Sequence, residues 1–190
     1  SRNDLIVYGD YGFVPAILTS KDGGNSFKLV FLSLLSPLAF NEGITDMVFP
    51  GNGNTGFAAD ADRILKTTDK GASWAVNSLQ PNIFINHFEA IDLSYVYAHN
   101  TSFGIPTLLK TTNAGVSWQK VNIPAGNELR SVSFLTKDKG WLNIDEKLYK
   151  TVDGGVSWTL INDPVVAPAY GKKMHFVNDS TRSEERRVGK

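Results

Sequence analysis

"KTTDKGASW", residues 66–74, decides the fold because it does not stand alone. The pattern returns as TSKDGGNSF at 19–27, KTTNAGVSW at 110–118 and KTVDGGVSW at 150–158. Each copy carries Ser or Thr, then Asp or Asn two residues on, Gly four on, Ser six on and an aromatic seven on. The acidic or amide position moves from Asp22 to Asp69, Asn113 and Asp153, with spacings of 47, 44 and 40 residues. That is the period of a propeller blade.

The flanks repeat with the motif. Phe57 after Gly56 lies twelve residues before Asp69, and Trp141 after Gly140 lies twelve before Asp153. Further upstream, DMVFP at 46–50 and SVSFL at 131–135 alternate as half-buried strands do, with polar runs between. The unit reads as strand, turn, Gly-aromatic strand, loop, apolar strand, Asp-Gly turn, aromatic strand. Four short strands per repeat and no convincing helix predict an all-β propeller of four-stranded antiparallel blades.

The residue types explain the turn. An Asp or Asn oxygen accepts hydrogen bonds from backbone N–H groups just downstream, where the ladder supplies none. Gly24, Gly71, Gly115 and Gly155 supply a positive φ that a β-carbon disfavours. Phe27, Trp74, Trp118 and Trp158 start the outgoing strand and can fold back over the turn. All twelve of these positions are therefore expected to be structural.

The motif resembles the Asp box, or bacterial neuraminidase repeat, written Ser/Thr-x-Asp-x-Gly-x-Ser/Thr-Trp/Phe. The wider unit, Gly-Trp or Gly-Phe followed by LYKTVDGGVSW, looks most like propellers of the photosystem II stability and assembly factor type. Sialidases, xyloglucanases and sortilin receptors carry similar boxes. The resemblance implies that the box lies between the third and fourth strands of a blade, away from the functional face.

The repeat also marks divisions in the chain. Residues 1–181 read as a propeller fragment, with blades at about 1–35 (lacking its first strand), 36–79, 80–124, 125–165 and a partial one at 166–181. The run LVFLSLLSPLAF at 29–40 reads as a core strand plus a connection. In KKMHFVND at 172–179, Phe176 stands where Phe134 stands, and a Gly-aromatic pair is due six or seven residues later. Arg182 and Ser183 occupy that place. RSEERRVGK at 182–190 resembles the translation of a common sequencing-library adapter, which implies a non-native tail whose basic residues carry no functional argument.

Composition excludes several classes. Nineteen basic and nineteen acidic residues cancel, so there is no electrostatic footprint for nucleic acid. No stretch approaches a membrane helix. The absence of cysteine removes disulfides, thiolate nucleophiles and thiolate metal sites. His87, His99 and His175 lack metal-ligand spacing, and no nucleotide-binding glycine pattern opens a helix. Neither a metal nor a cofactor is expected.

Counting back from each box places the loops between second and third strands on the face opposite the boxes. These hold Asp10 and Tyr11, then Asp60, Asp62 and Arg63, then His99 and Asn100, then Asp145, Glu146 and Lys147. They are the candidate binding residues; the plain alternative for each is an exposed polar turn residue. Asp60, Asp62 and Asp145 offer the carboxylates that glycoside hydrolysis needs. A sialidase would also need three arginines gripping a carboxylate. Upstream of the tail there are only Arg2, Arg63 and Arg130, none in an Arg-Ile-Pro setting. The expected function is a non-catalytic module for protein binding or assembly outside the cytoplasm. The alternative is an Asp-box glycoside hydrolase, xyloglucanase-like or sialidase-like, with carbohydrate as its partner.

Overall fold

The computed structural model describes residues 3–11, 14–33, 43–51, 53–60, 62–79, 83–101, 105–162, 174–176 and 182–184. Every regular element among them is a strand. β1 (Leu5–Tyr11), β2 (Val14–Ser20) and β3 (Lys28–Leu32) form a three-stranded sheet in that order. Three four-stranded sheets follow: β4 (Ile44–Val48), β5 (Gly56–Asp60), β6 (Arg63–Thr67) and β7 (Ala75–Leu79); β8 (His87–Ala90), β9 (Val96–Asn100), β10 (Thr107–Thr111) and β11 (Gln119–Lys120); β12 (Leu129–Phe134), β13 (Gly140–Ile144), β14 (Lys147–Thr151) and β15 (Thr159–Leu160). β16 (Met174–Phe176) pairs with β17 (Arg182–Glu184). Phe176 faces Arg182 in the register by which Phe134 faces Gly140. Residues 34–40 of the 29–40 run lie outside the described residues, as do 185–190 of the tail.

All pairings are antiparallel between sequence neighbours, and successive first strands lie side by side, β4 by β8, β8 by β12 and β12 by β16. This is the radial arrangement of propeller blades. The core is therefore divided into layers between sheets. Ile17, Ile44, Leu65 and Trp74 fill the first, Phe57, Ile64, Val96 and Leu109 the second, and Tyr97, Leu108, Phe134 and Leu142 the third. The rings of Tyr97 and Phe134 stack at 3.7 Å across that third layer.

The four repeated turns join the last two strands of each sheet, and all are wired alike. The hydroxyls of Ser20, Thr67, Thr111 and Thr151 donate to Oδ1 of Asp22, Asp69, Asn113 and Asp153 at 2.7–2.9 Å. The same hydroxyls accept the N–H of Gly24, Gly71, Gly115 and Gly155. Each Oδ1 then accepts the N–H of the Ser four residues on at 2.9 Å. In the three Asp turns that Ser hydroxyl donates to Oδ2; in the Asn turn, Asn113 Nδ2 donates to Ser117 Oγ at 2.9 Å instead. Led by the Ser73 hydroxyl, these bonds hold Asp69 down to about 2. Led by Ser26 and Ser157, they hold Asp22 and Asp153 lower still.

Two successive residues in each turn have positive φ. The second is the glycine of the motif, while the first is Gly23, Lys70, Ala114 or Gly154. The N–H of that first residue reaches back to the loop between the first two strands, for example Lys70 N to Asn54 O at 2.9 Å and Gly154 N to Asp138 O at 2.8 Å. Gly115 is fixed twice over: its φ is +78°, and a Cβ there would stand 2.5 Å from the Phe57 ring of the preceding sheet.

The turns also join neighbouring sheets. Lys66 Nζ donates forward to Ala114 O at 2.7 Å, and Lys110 Nζ to Gly154 O at 2.8 Å. The tryptophans reach backward, Trp118 Nε1 to Asn77 Oδ1 at 3.1 Å and Trp158 Nε1 to Asn122 O at 3.0 Å. Trp118 stands edge-on to Phe57 with ring centroids 5.6 Å apart.

Candidate functional site

The candidate residues gather at the end of the sheets opposite the repeated turns, but most are not in loops. Asp10 and Tyr11 are the last residues of β1, Asp60 ends β5, Arg63 begins β6, His99 and Asn100 end β9, and Lys147 begins β14. The connections are tight enough that these residues form the final ladder pairs: Tyr11 with Val14, Asp60 with Arg63, Ile144 with Lys147. Only Asp62, Asp145 and Glu146 sit in turns. The plain alternative of an exposed turn residue also fails for five of them, since Asp60, Asp62, Arg63, His99 and Asn100 are buried.

Asp60 and Arg63 form the most enclosed charge pair. Arg63 Nη2 lies 2.5 Å from Asp60 Oδ2, with the side chains 7% and 0% exposed, and it also donates to Ser33 Oγ at the end of β3. The pair thus ties the first sheet to the second. Burial pushes the Asp60 carboxyl up, against the pull of the Arg63 charge. Asp60 Oδ1, Asp62 Oδ1 and Arg63 Nε have no hydrogen-bond partner among the described residues.

The His99 ring lies 5.5 Å from that of His87 on the neighbouring strand, the two planes tilted by 31°. Burial, with His87 adding to it, pushes His99 down to about 3, so it stays neutral at physiological pH. Its Nδ1 has no partner among the described residues.

Asp145 and Glu146 make a two-residue turn with φ of +48° and +66°, the type I′ geometry that suits a hairpin's twist. The Asp145 carboxylate accepts the N–H of Glu128 at 2.9 Å and of Asn127 at 3.0 Å. It fastens the segment entering β12. Glu146 lies 3.4 Å from Arg130 Nη1, while Arg130 Nη2 lies 3.0 Å from Glu128. Asp10 is exposed and its Oδ1 occupies the space where a Cβ on Gly43 would stand, while Lys147 extends into solvent.

Two carboxylates on first strands escaped the sequence reading. Asp46 Oδ2 accepts the N–H of Phe88 on the next sheet at 2.7 Å and stands 3.9 Å from His87 Nδ1. Glu89 Oε1 accepts the N–H of Phe134 at 3.4 Å. The signal was an acid on an otherwise apolar inner strand, in DMVFP and HFEA. Among the described residues no group of three or more His, Asp or Glu side chains can hold a metal, and no helix is long and apolar enough to cross a membrane.

No family model matches the chain, and no curated protein matches it. Solved structures do. YCF48 bound to D1 peptide is similar over 93% of this chain and 56% of its own, with TM-score 0.62 and 18% identity. The GH74 enzyme of Niastella koreensis is similar over 84% of this chain and 28% of its own, with TM-score 0.66 and 16% identity. PorZ of Porphyromonas gingivalis, an essential bacterial surface component of the type-IX secretion system, is similar over 85% and 22%, with TM-score 0.58 and 15% identity. The chain thus spans about a quarter of the enzyme and of PorZ, and just over half of YCF48. At these identities the likeness establishes the fold: the chain is built as β-propeller blades.

Proposed function

We propose that the protein is a non-catalytic propeller of the Asp-box, photosystem II assembly factor-like kind, binding a protein partner outside the cytoplasm. One observation carries this reading: two carboxylates of the candidate face, Asp60 and Asp145, are engaged in holding the fold. Asp60 is enclosed with Arg63, and Asp145 is bound to two backbone amides. What projects from that face is a mixed-charge rim of Asp10, Glu146 and Lys147, the kind of surface that borders protein interfaces. YCF48 with its D1 peptide supports a peptide or protein partner, and PorZ, as a surface component, supports the location.

The test is selection of binders from a displayed peptide library, followed by calorimetry with Glu146→Lys and Lys147→Glu. A tenfold loss of affinity at an unchanged melting temperature supports the proposal; selection of no binder overturns it. The second reading is a glycoside hydrolase. It draws on the GH74 likeness and on Asp60, whose raised pKa is the property of a general acid. Release of reducing sugar from xyloglucan, abolished by Asp60→Asn in protein that still folds, would replace the first reading with the second.

A further inference from the structure

His87 and His99 are separated along the chain, but the antiparallel pairing of β8 with β9 sets them directly opposite each other. Residues opposite one another in such a ladder project from the same face of the sheet, and these two rings have centroids 5.5 Å apart. The blade itself does not require histidine at this level. Gly56, Val96 and Gly140, which face Thr67, Thr111 and Thr151, align the three complete sheets. In that alignment Asp46 and Ala59 hold the same pair of places in the preceding sheet, and Ser131 and Asn143 hold them in the following one. The sheet with the histidine pair is flanked on both sides, by β4 and by β12.

His99 is 5% exposed, and its Nδ1 has no hydrogen-bond partner among the described residues. An enclosed ring nitrogen in that state is disfavoured unless something supplies the missing bond. His87 shows the complementary feature. Its Nδ1 stands 3.9 Å from Oδ2 of Asp46 on the sheet before it, and the N–H of Phe88 fixes that carboxylate at 2.7 Å. A carboxylate beside one ring nitrogen, with the other nitrogen directed at a metal, is the common outer-shell arrangement of a histidine ligand. The spacing of the rings fits as well. A zinc ion about 2.0–2.1 Å from each of two imidazole nitrogens lies roughly 3 Å from each ring centre, which puts the centres about 5 Å apart at a tetrahedral angle.

We propose that His87 and His99 form a two-histidine binding site for a divalent transition-metal ion of the zinc, copper and nickel class. Imidazole nitrogen suits these ions, whereas magnesium and calcium take oxygen ligands. The ion supplies the bond that His99 Nδ1 lacks and joins β8 to β9 through their side chains. Water fills its remaining positions. The site shares no residue with the rim of Asp10, Glu146 and Lys147, so it holds its ion whether or not a partner protein binds there.

The test is calorimetric titration of zinc chloride into the full chain after treatment with a chelator, at neutral pH. One saturable site is expected. His87→Gln and His99→Gln are each expected to weaken it by at least about tenfold, and His175→Gln, the substitution of the remaining histidine, to leave it unchanged. The second measurement uses the unaltered chain loaded with one equivalent of copper(II), in which electron spin-echo modulation counts the coordinated imidazoles; two are expected. Four results overturn the proposal: no saturable zinc binding, zinc binding that survives both His87→Gln and His99→Gln, displacement of zinc by an equal concentration of calcium, or a copper spectrum with fewer than two imidazoles. The copper spectrum needs no variant, so the outcome does not depend on any substituted chain folding.

Discussion

The two ends of the sheets follow different rules. At one end, four turns repeat a single wiring scheme over four sheets, down to the 2.9 Å bond from the serine N–H to Oδ1. At the other, the described residues differ from sheet to sheet: a buried Arg-Asp pair in one, two histidines in tilted contact in the next, a type I′ turn with a clasped aspartate in the third. The uniform end is where the repeat specifies the architecture. The varied end is where one protein is free to differ from another, which is why the binding face is sought there.

Asp60→Asn tests the varied end most severely. Arg63 would keep its charge in a buried site without a counter-charge, and a loss of about 4 kcal/mol is expected in urea denaturation. A loss below 1 kcal/mol would mean the pair is not structural, and the contrast between the two ends would weaken. Trp118→Ala tests the uniform end. It removes the ring against Phe57 and Phe88 and the bond to Asn77, with an expected cost of about 3 kcal/mol read from the denaturation midpoint.

Ala114→Gly should act in the opposite direction. Ala114 sits at φ +56° where two sister turns have glycine, so relief of left-handed strain should stabilise by about 1 kcal/mol, read by calorimetry. Asp153→Asn should have the smallest effect at neutral pH, because the turn at Asn113 already carries the same wiring with an amide. Its effect belongs at low pH. Asp69 and Asp153 have folded pKa values below the unfolded one, so their contribution is present above the unfolded value near 4 and is lost as pH falls toward 2. Replacing Asp22, Asp69 and Asp153 together by Asn should flatten the acid limb of a melting-temperature profile. An unchanged limb would show that these turns do not set acid stability.

The uniform end was legible because local chemistry is enough to specify it. Asp or Asn, glycine and an aromatic at fixed offsets need nothing from elsewhere to form a turn. What escaped was the residue before the glycine, since Lys70 and Ala114 give no sign in sequence of a left-handed backbone. At the varied end, spacing gave the right end of the sheets but not the burial of Asp60, Arg63 or His99. The neighbours there are Ser33, just after β3, and His87 on β8, and a period in sequence carries no information about partners from other segments. Asp46 and Glu89 were missed for the same reason: each acts on the sheet that follows its own.

The ties between sheets have a direction. Lysines 66 and 110 reach forward to the next turn, Trp118 reaches back to Asn77 on β7, and Trp158 reaches back to Asn122 just after β11. The sheet of β8–β11 is thus clasped from both sides by its immediate neighbours. Such a structure behaves as a chain of nearest-neighbour couplings, in which stability passes from sheet to sheet link by link. A lesion at Lys66 would be felt first at the turn holding Ala114, one blade downstream.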